Sequence, residues 1–405
     1  MNVICLVIDR LHLGHVGAYG NSWIETPAMD RLASEAFTFD QAHLDSPRLE
    51  DIYRSYWQGW HAMCRPPEPQ HASLAAMLRE AGWETILLTD ERKVAEHPLA
   101  VDFDELIEID PPWETRSAAQ IEETHFGKCF VQAIDRLGTA RKPFLMWCHL
   151  AGLGLTWDAP LEFRRSYCEP GDPDPPESAE VPDRMLPADY DPDELLGMAQ
   201  SYAGQVSLLD GCLDAFLQFV DGSPMGRNTA IVLTSPRGFP LGEHRRVGPC
   251  DEMLYGELVH VPLIVRLPEG VGAAGRSPAL VEPADLWATL LECAGVAELP
   301  PSPTAGSLLG IIREEVAGLR DCLGIVGNDP DRAIRTPAWY LRTAAESELY
   351  AKPDDRWEVN NVAVRCREVV ELLQGCLAHY EQKLRAGGAA SELPPLDEVL
   401  RTGPQ

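Results

Sequence analysis

The sequence predicts an α/β fold in which helices flank a mostly parallel central sheet, and three observations predict it. Val3 to Ile8 is an unbroken apolar run ending at Asp9, the pattern of a strand buried on both faces whose C-terminal end delivers a polar residue. Ser73 to Ala81 carries Leu74 and Leu78 at helical spacing and stops at Gly82, a C-cap residue, before the apolar stretch Thr85 to Leu88. Phe144 to Cys148 and Ala230 to Leu233 are two more short apolar runs, with an amphipathic helix over Ser201 to Val220 between them. Ala28 to Ala36 reads as a further helix. Strand alternating with helix argues for a sandwich of helices around one sheet.

The pattern changes twice. Cys168 to Glu194 is rich in proline and acid and poor in apolar periodicity, so an acidic surface insertion or lid is expected over 168–194. From about 316 the chain turns to short strands, Gly324 to Val326, Trp339 to Arg342 and Glu348 to Tyr350, followed by a helix over Cys366 to Leu384. The expected organisation is therefore a main domain over 1–315, a small C-terminal α+β subdomain over 316–386, and a flexible tail over 387–405.

Composition bears on compartment and partners. Nothing approaches the ~18 consecutive apolar residues of a spanning helix, so no membrane association is expected. The acidic residue at position 9 comes too early for a signal peptide. Eleven cysteines stand singly with no C-x-x-C pair, as small reduced core residues do. A cytoplasmic location is the expectation from these features. The net charge is −29, from 63 acidic against 34 Lys and Arg residues, which repels nucleic acid, anionic membranes and highly sulfated glycans at long range. The expected partner is a small anion or another protein, with the oligomeric state open.

Several segments carry a resemblance. NVICLVIDRLHLGHVGAYGNSWIETPAMDRLASEAFTFDQA contains Tyr19-Gly20-Asn21, Thr26-Pro27 and Met29-Asp30-Arg31-Leu32. Ser73 to Arg92, Lys142 to Pro160, Asn228 to His244, His260 to Pro268, Pro283 to Gly295 and Glu348 to Ala363 follow in order. Together they resemble the sulfatase family of the alkaline-phosphatase superfamily over nearly the whole chain. The resemblance implies an alkaline-phosphatase-like sandwich with a small C-terminal α+β subdomain, and sulfuric-ester hydrolysis with a formylglycine nucleophile and a divalent cation, usually calcium.

Against that family the chemical residues of this chain depart. Phe39 to Gly59, FDQAHLDSPRLEDIYRSYWQG, has the frame of the active-site segment, but counting from either flank puts Leu49 at the nucleophile and Tyr53 at the adjacent arginine. Leucine has no nucleophilic atom. Of the implied metal ligands only Asp9 matches, with Arg10, Pro236 and Arg237 at the others. Hard cations need several oxygen ligands, and two guanidiniums repel one. No metal or other cofactor is expected, and Asp9 is expected to pair with Arg10 or Arg237 instead. Asp90 and Arg92 stand where the family has a sulfate-binding Lys and His, and Gly154 where it has a second His, although His149 matches.

The candidate pocket residues are therefore Asp9, Arg10, His149, Arg237 and His244, with a hydrogen-bonded structural role as the plainer reading of the two histidines. A rearranged triad drawing on Ser46, Ser55 or Ser235 with His12, His15 or His244 lacks any diagnostic spacing. The expected function is a sulfatase-like protein that has lost ester hydrolysis and acts as a binding or regulatory pseudoenzyme. The alternative is a hydrolase of an anionic sulfate or phosphate ester with a rearranged or metal-independent site, and calcium enters only there.

Overall fold

The computed structural model describes residues 1–65, 72–113, 115–140, 143–296 and 298–403. Lys142, which opens one of the matched segments, and the last two residues of the tail lie outside them. The chain forms two compact units, one of residues 1–38, 82–250 and 261–275, the other of 39–81, 251–260 and 276–405. The expected single boundary at 315/316 gives way to this interleaving. Local pattern marks where elements begin and end, not which non-consecutive segments pack together.

In the first unit six strands lie in the order His260–Arg266, Thr229–Thr234, Asn2–Ile8, Phe144–Leu150, Glu84–Thr89 and Glu105–Glu108. All neighbours are parallel except His260–Arg266, which runs antiparallel to Thr229–Thr234. Asn2–Ile8 is central, with Val7 opposite both His149 and Thr234. Its burial on both faces explains the unbroken apolar run, since alternation is needed only where one face meets water. Ile4, Leu6 and Ile8 share a core with Phe126, Phe130 and Phe216 from the helices His125–Leu137 and Pro192–Gly222.

That second helix is 31 residues long and starts nine residues before the expected Ser201. The Asp-Pro-Asp-Glu that reads as loop acid is its start signal. Asp191 caps the Asp193 N–H at 3.0 Å, Pro192 takes the first turn, and Asp193 and Glu194 follow at the positive end of the helix dipole. The rest of the acidic insertion is stitched down by backbone hydrogen bonds rather than by apolar periodicity. Arg184–Met185 pairs antiparallel with Arg246–Val247, and the buried Arg164 guanidinium donates to Ser178 O at 2.9 Å and to Pro176 O.

In the second unit Leu323–Val326, Arg332–Arg335, Trp339–Thr343 and Ser347–Ala351 form an antiparallel meander in sequence order. The helix Arg367–Arg385 contributes Leu373, Leu377, Tyr380 and Leu384 to its core. Arg332–Arg335, absent from the sequence expectation, reads R-A-I-R and has only two apolar residues to signal it. The tail after Gly387, expected as a flexible segment, has structure of its own. It carries a helix, Glu398–Thr402, with Leu400 fully buried, and Thr336 and Trp339 bond to its Leu400 and Val399 carbonyls at 2.7 and 2.8 Å.

Candidate functional site

The parallel strands of the first unit end at one edge of their sheet, and each delivers its next residues there. Asp9 and Arg10 follow Asn2–Ile8, Asp90 follows Glu84–Thr89, His149 lies one residue from the end of Phe144–Leu150, and Ser235 to Arg237 follow Thr229–Thr234. Residues more than two hundred positions apart are thereby neighbours.

Arg237 engages Asp9 side-on. Its Nε donates to Asp9 Oδ1 at 3.1 Å and its Nη2 to Asp9 Oδ2. Arg10 Nε lies 3.8 Å from Asp9 Oδ1, and His149 Nε2 lies 3.9 Å from Asp9 Oδ2. Asp9 is 1 % exposed and both arginines are buried. Burial alone raises the Asp9 pKa, but Arg237 and then Arg10 outweigh it and hold the carboxyl at about 2. Burial pushes His149 below its usual value while Asp9 and Asp90 pull the other way.

The backbone fixes this arrangement. Arg10 adopts φ 66°, a left-handed conformation unusual for a long side chain. Its N–H donates to Arg237 O at 2.8 Å, and its carbonyl accepts from the Tyr202 hydroxyl at 2.7 Å. Arg10 Nη1 donates to Cys250 O at 2.6 Å. Gly154 makes room for it, since a Cβ there would meet Arg10 Cγ at 2.9 Å. The residue that stands in place of a family histidine is thus what lets the arginine lie across the site.

The calcium implied by the family fold does not suit this donor set. Both oxygens of the one matching carboxylate already accept from Arg237, a second guanidinium is at 3.8 Å, and Pro236 brings no side-chain ligand atom. A divalent cation here would have to displace a buried charge-assisted pair and then face two cations.

A second buried set lies beside the first, and sequence reasoning missed most of it. Asp90 Oδ2 meets His125 Nε2 at 2.7 Å, and Asp90 Oδ1 accepts from the Ala151 N–H at 2.6 Å. Cys129 Sγ is 3.7 Å from the same His125 nitrogen, and Asp158 accepts from the His125 N–H at 2.6 Å. The signal available was Thr124-His125-Phe126-Gly127-Lys128-Cys129, a helix start with its Thr cap, which places His125 and Cys129 one turn apart. Asp90, singled out as an acid where sulfate would need a cation, is hydrogen-bonded within the protein through both its oxygens. Burial pushes the Cys129 thiol well above its usual value, so it stays protonated.

The remaining candidates fall elsewhere. His244 sits in the turn Glu243–Arg245 with φ 49°, and its neighbour Glu243 approaches His12 Nε2 at 3.7 Å. Leu49 and Tyr53 belong to the second unit, where they are buried on the helix Leu49–Gln58. Ser46 donates to Asp51 at 3.2 Å and Ser55 to Asp45, so both hydroxyls serve carboxylates, while Ser235 donates to Arg237 O at 2.6 Å.

Comparison with known proteins adds the family. The sulfatase family model matches residues 1–296. Human iduronate 2-sulfatase is 23% identical over 362 residues, covering 70% of this chain and 61% of that protein. The N-acetylglucosamine-6-O-sulfatase of Bacteroides thetaiotaomicron is 33% identical over 117 residues, 29% of this chain and 20% of the other. The chain thus spans less than two thirds of the length of these curated relatives. Among solved structures, the phosphonate monoester hydrolase of Agrobacterium radiobacter superposes with a TM-score of 0.74 at 18% identity, covering 95% of both chains. BT4656, in complex with its substrate D-glucosamine-2-N,6-O-disulfate, gives 0.75 at 20% identity over 97% of this chain and 99% of the other. At this identity the superpositions establish the alkaline-phosphatase-like fold.

Proposed function

The chain belongs to the sulfatase family, and from that premise we propose that it has lost ester hydrolysis and acts as a binding or regulatory member of the family. The side-on pair between Arg237 and Asp9 carries the reading. In the family the matching acid holds the metal that polarises the ester, so here the binding capacity of that carboxylate is taken up internally. Leu49 at the nucleophile position supports it independently, because no oxygen or sulfur stands there to attack or to become formylglycine. Asp90 supports it further, since a carboxylate in place of a sulfate-binding lysine opposes an anionic substrate.

Turnover decides between this reading and the alternative, a hydrolase of a sulfate or phosphate ester with a rearranged site. Assayed on aryl sulfates and aryl phosphates with added Ca²⁺, Mg²⁺ or Mn²⁺, the protein is expected to show background rates, and intact mass no formylglycine. Metal-dependent hydrolysis that vanishes in Asp9→Asn refutes the loss of activity.

A further inference from the structure

The second unit contains a cavity of about 970 Å³ whose wall includes Gln41, Leu280, Thr304, Arg335, Tyr380 and Leu396. Arg335 distinguishes it. Its side chain is 3 % exposed, and among the described residues no carboxylate lies at ion-pair distance from it. Nη1 donates to Trp339 O at 3.2 Å and to Thr336 O, Nη2 donates to the Gln41 amide oxygen at 2.9 Å, and among the described residues Nε has no acceptor.

The guanidinium edge formed by Nε and Nη2 is the one that Arg237 lays against both oxygens of Asp9. On Arg335 the same edge meets a single neutral amide oxygen. A buried cation whose hydrogen bonds all go to neutral groups is costly, and burial depresses the Arg335 pKa to about 10 against the opposing pull of Glu358. Two hydroxyls of the same wall, those of Thr304 and Tyr380, are also buried with no hydrogen-bond partner among the described residues. Three polar groups of one cavity are thus short of partners, and one of them is a cation.

We propose that this cavity binds a small organic oxyanion, a carboxylate, sulfate or phosphate group on an apolar body, whose two oxygens replace Gln41 on the Nε and Nη2 edge of Arg335. A planar guanidinium matches paired oxygens better than any other side chain does. Leu280, Leu319, Pro337 and Leu396 in the wall provide the apolar surface for the body of the ligand. The site uses neither Asp9 nor Arg237, so it stands whether or not the family's hydrolysis has been lost.

Calorimetric titration of phenylacetate, phenyl sulfate and phenyl phosphate into the full chain tests it, and the three probes distinguish the head group. At least one is expected to bind saturably at one site. Gln41→Glu gives Arg335 an internal carboxylate, so it should weaken that binding by at least about tenfold while raising the melting temperature of the unliganded protein. Arg335→Gln should abolish binding too, and if that variant does not fold, Gln41→Glu still decides. Failure of all three probes to bind, or binding that Gln41→Glu leaves unchanged, overturns the proposal.

Discussion

Asp9 is a buried carboxylate whose two oxygens are both held by one guanidinium. Its folded-state pKa of about 2 lies below the ordinary 3.8, so the group contributes stability that is fully present above the ordinary value and is lost as pH falls through about 2. The difference corresponds to roughly 2 kcal/mol. Thermal melts between pH 5 and pH 2 should show this acid limb, and Arg237→Ala should flatten it. The same substitution leaves a buried carboxylate without its main partner, a loss of about 3 to 5 kcal/mol in melts at neutral pH. A variant that melts with the parent would show that the pair contributes nothing. Gly154→Ala tests the packing side of the account, because its methyl would lie 2.9 Å from Arg10 Cγ. Arg10 is held at both its N–H and its carbonyl, so overpacking of about 1 to 3 kcal/mol is expected.

At the scale of elements, legibility followed from whether an element announces itself by apolar pattern. Asn2–Ile8, Glu84–Thr89, Phe144–Leu150 and Thr229–Thr234 were readable because strands buried on both faces must be continuously apolar. Their shared C-terminal edge then brings Asp9 and Arg237 together, a long-range contact legible only through the family's order of segments. His125 was not legible, since its partner Asp90 lies on another element and nothing in local spacing links them. Arg332–Arg335 and the tail helix hid for a related reason: each is charged along its length and held by a few residues facing the core. The tail offers a direct check. Leu400→Ala should cost about 2 to 5 kcal/mol, as removal of a fully buried leucine does, whereas a frayed segment would tolerate it without a shift in melting temperature.

Taken as a whole, the molecule keeps a family fold while its charges are redistributed. The net charge of −29 disfavours polyanions at long range, and heparin is expected not to bind at low ionic strength, where electrostatic attraction would be strongest. Among the described residues no helix is long and apolar enough to cross a membrane. Within the first unit, Asp9 and Asp90 are each answered by protein cations or hydrogen-bond donors rather than left for an ion or an ester. The central claim is that Arg237 has taken the place of the family's metal at Asp9, and calcium titration followed by differential scanning calorimetry tests it most directly. The parent protein should bind no calcium and melt at the same temperature with and without it. A variant carrying Arg10→Asp, Pro236→Asp and Arg237→Asn should gain calcium-dependent stabilisation by mass action. Calcium binding by the parent that raises its melting temperature and is lost in Asp9→Asn would contradict the account.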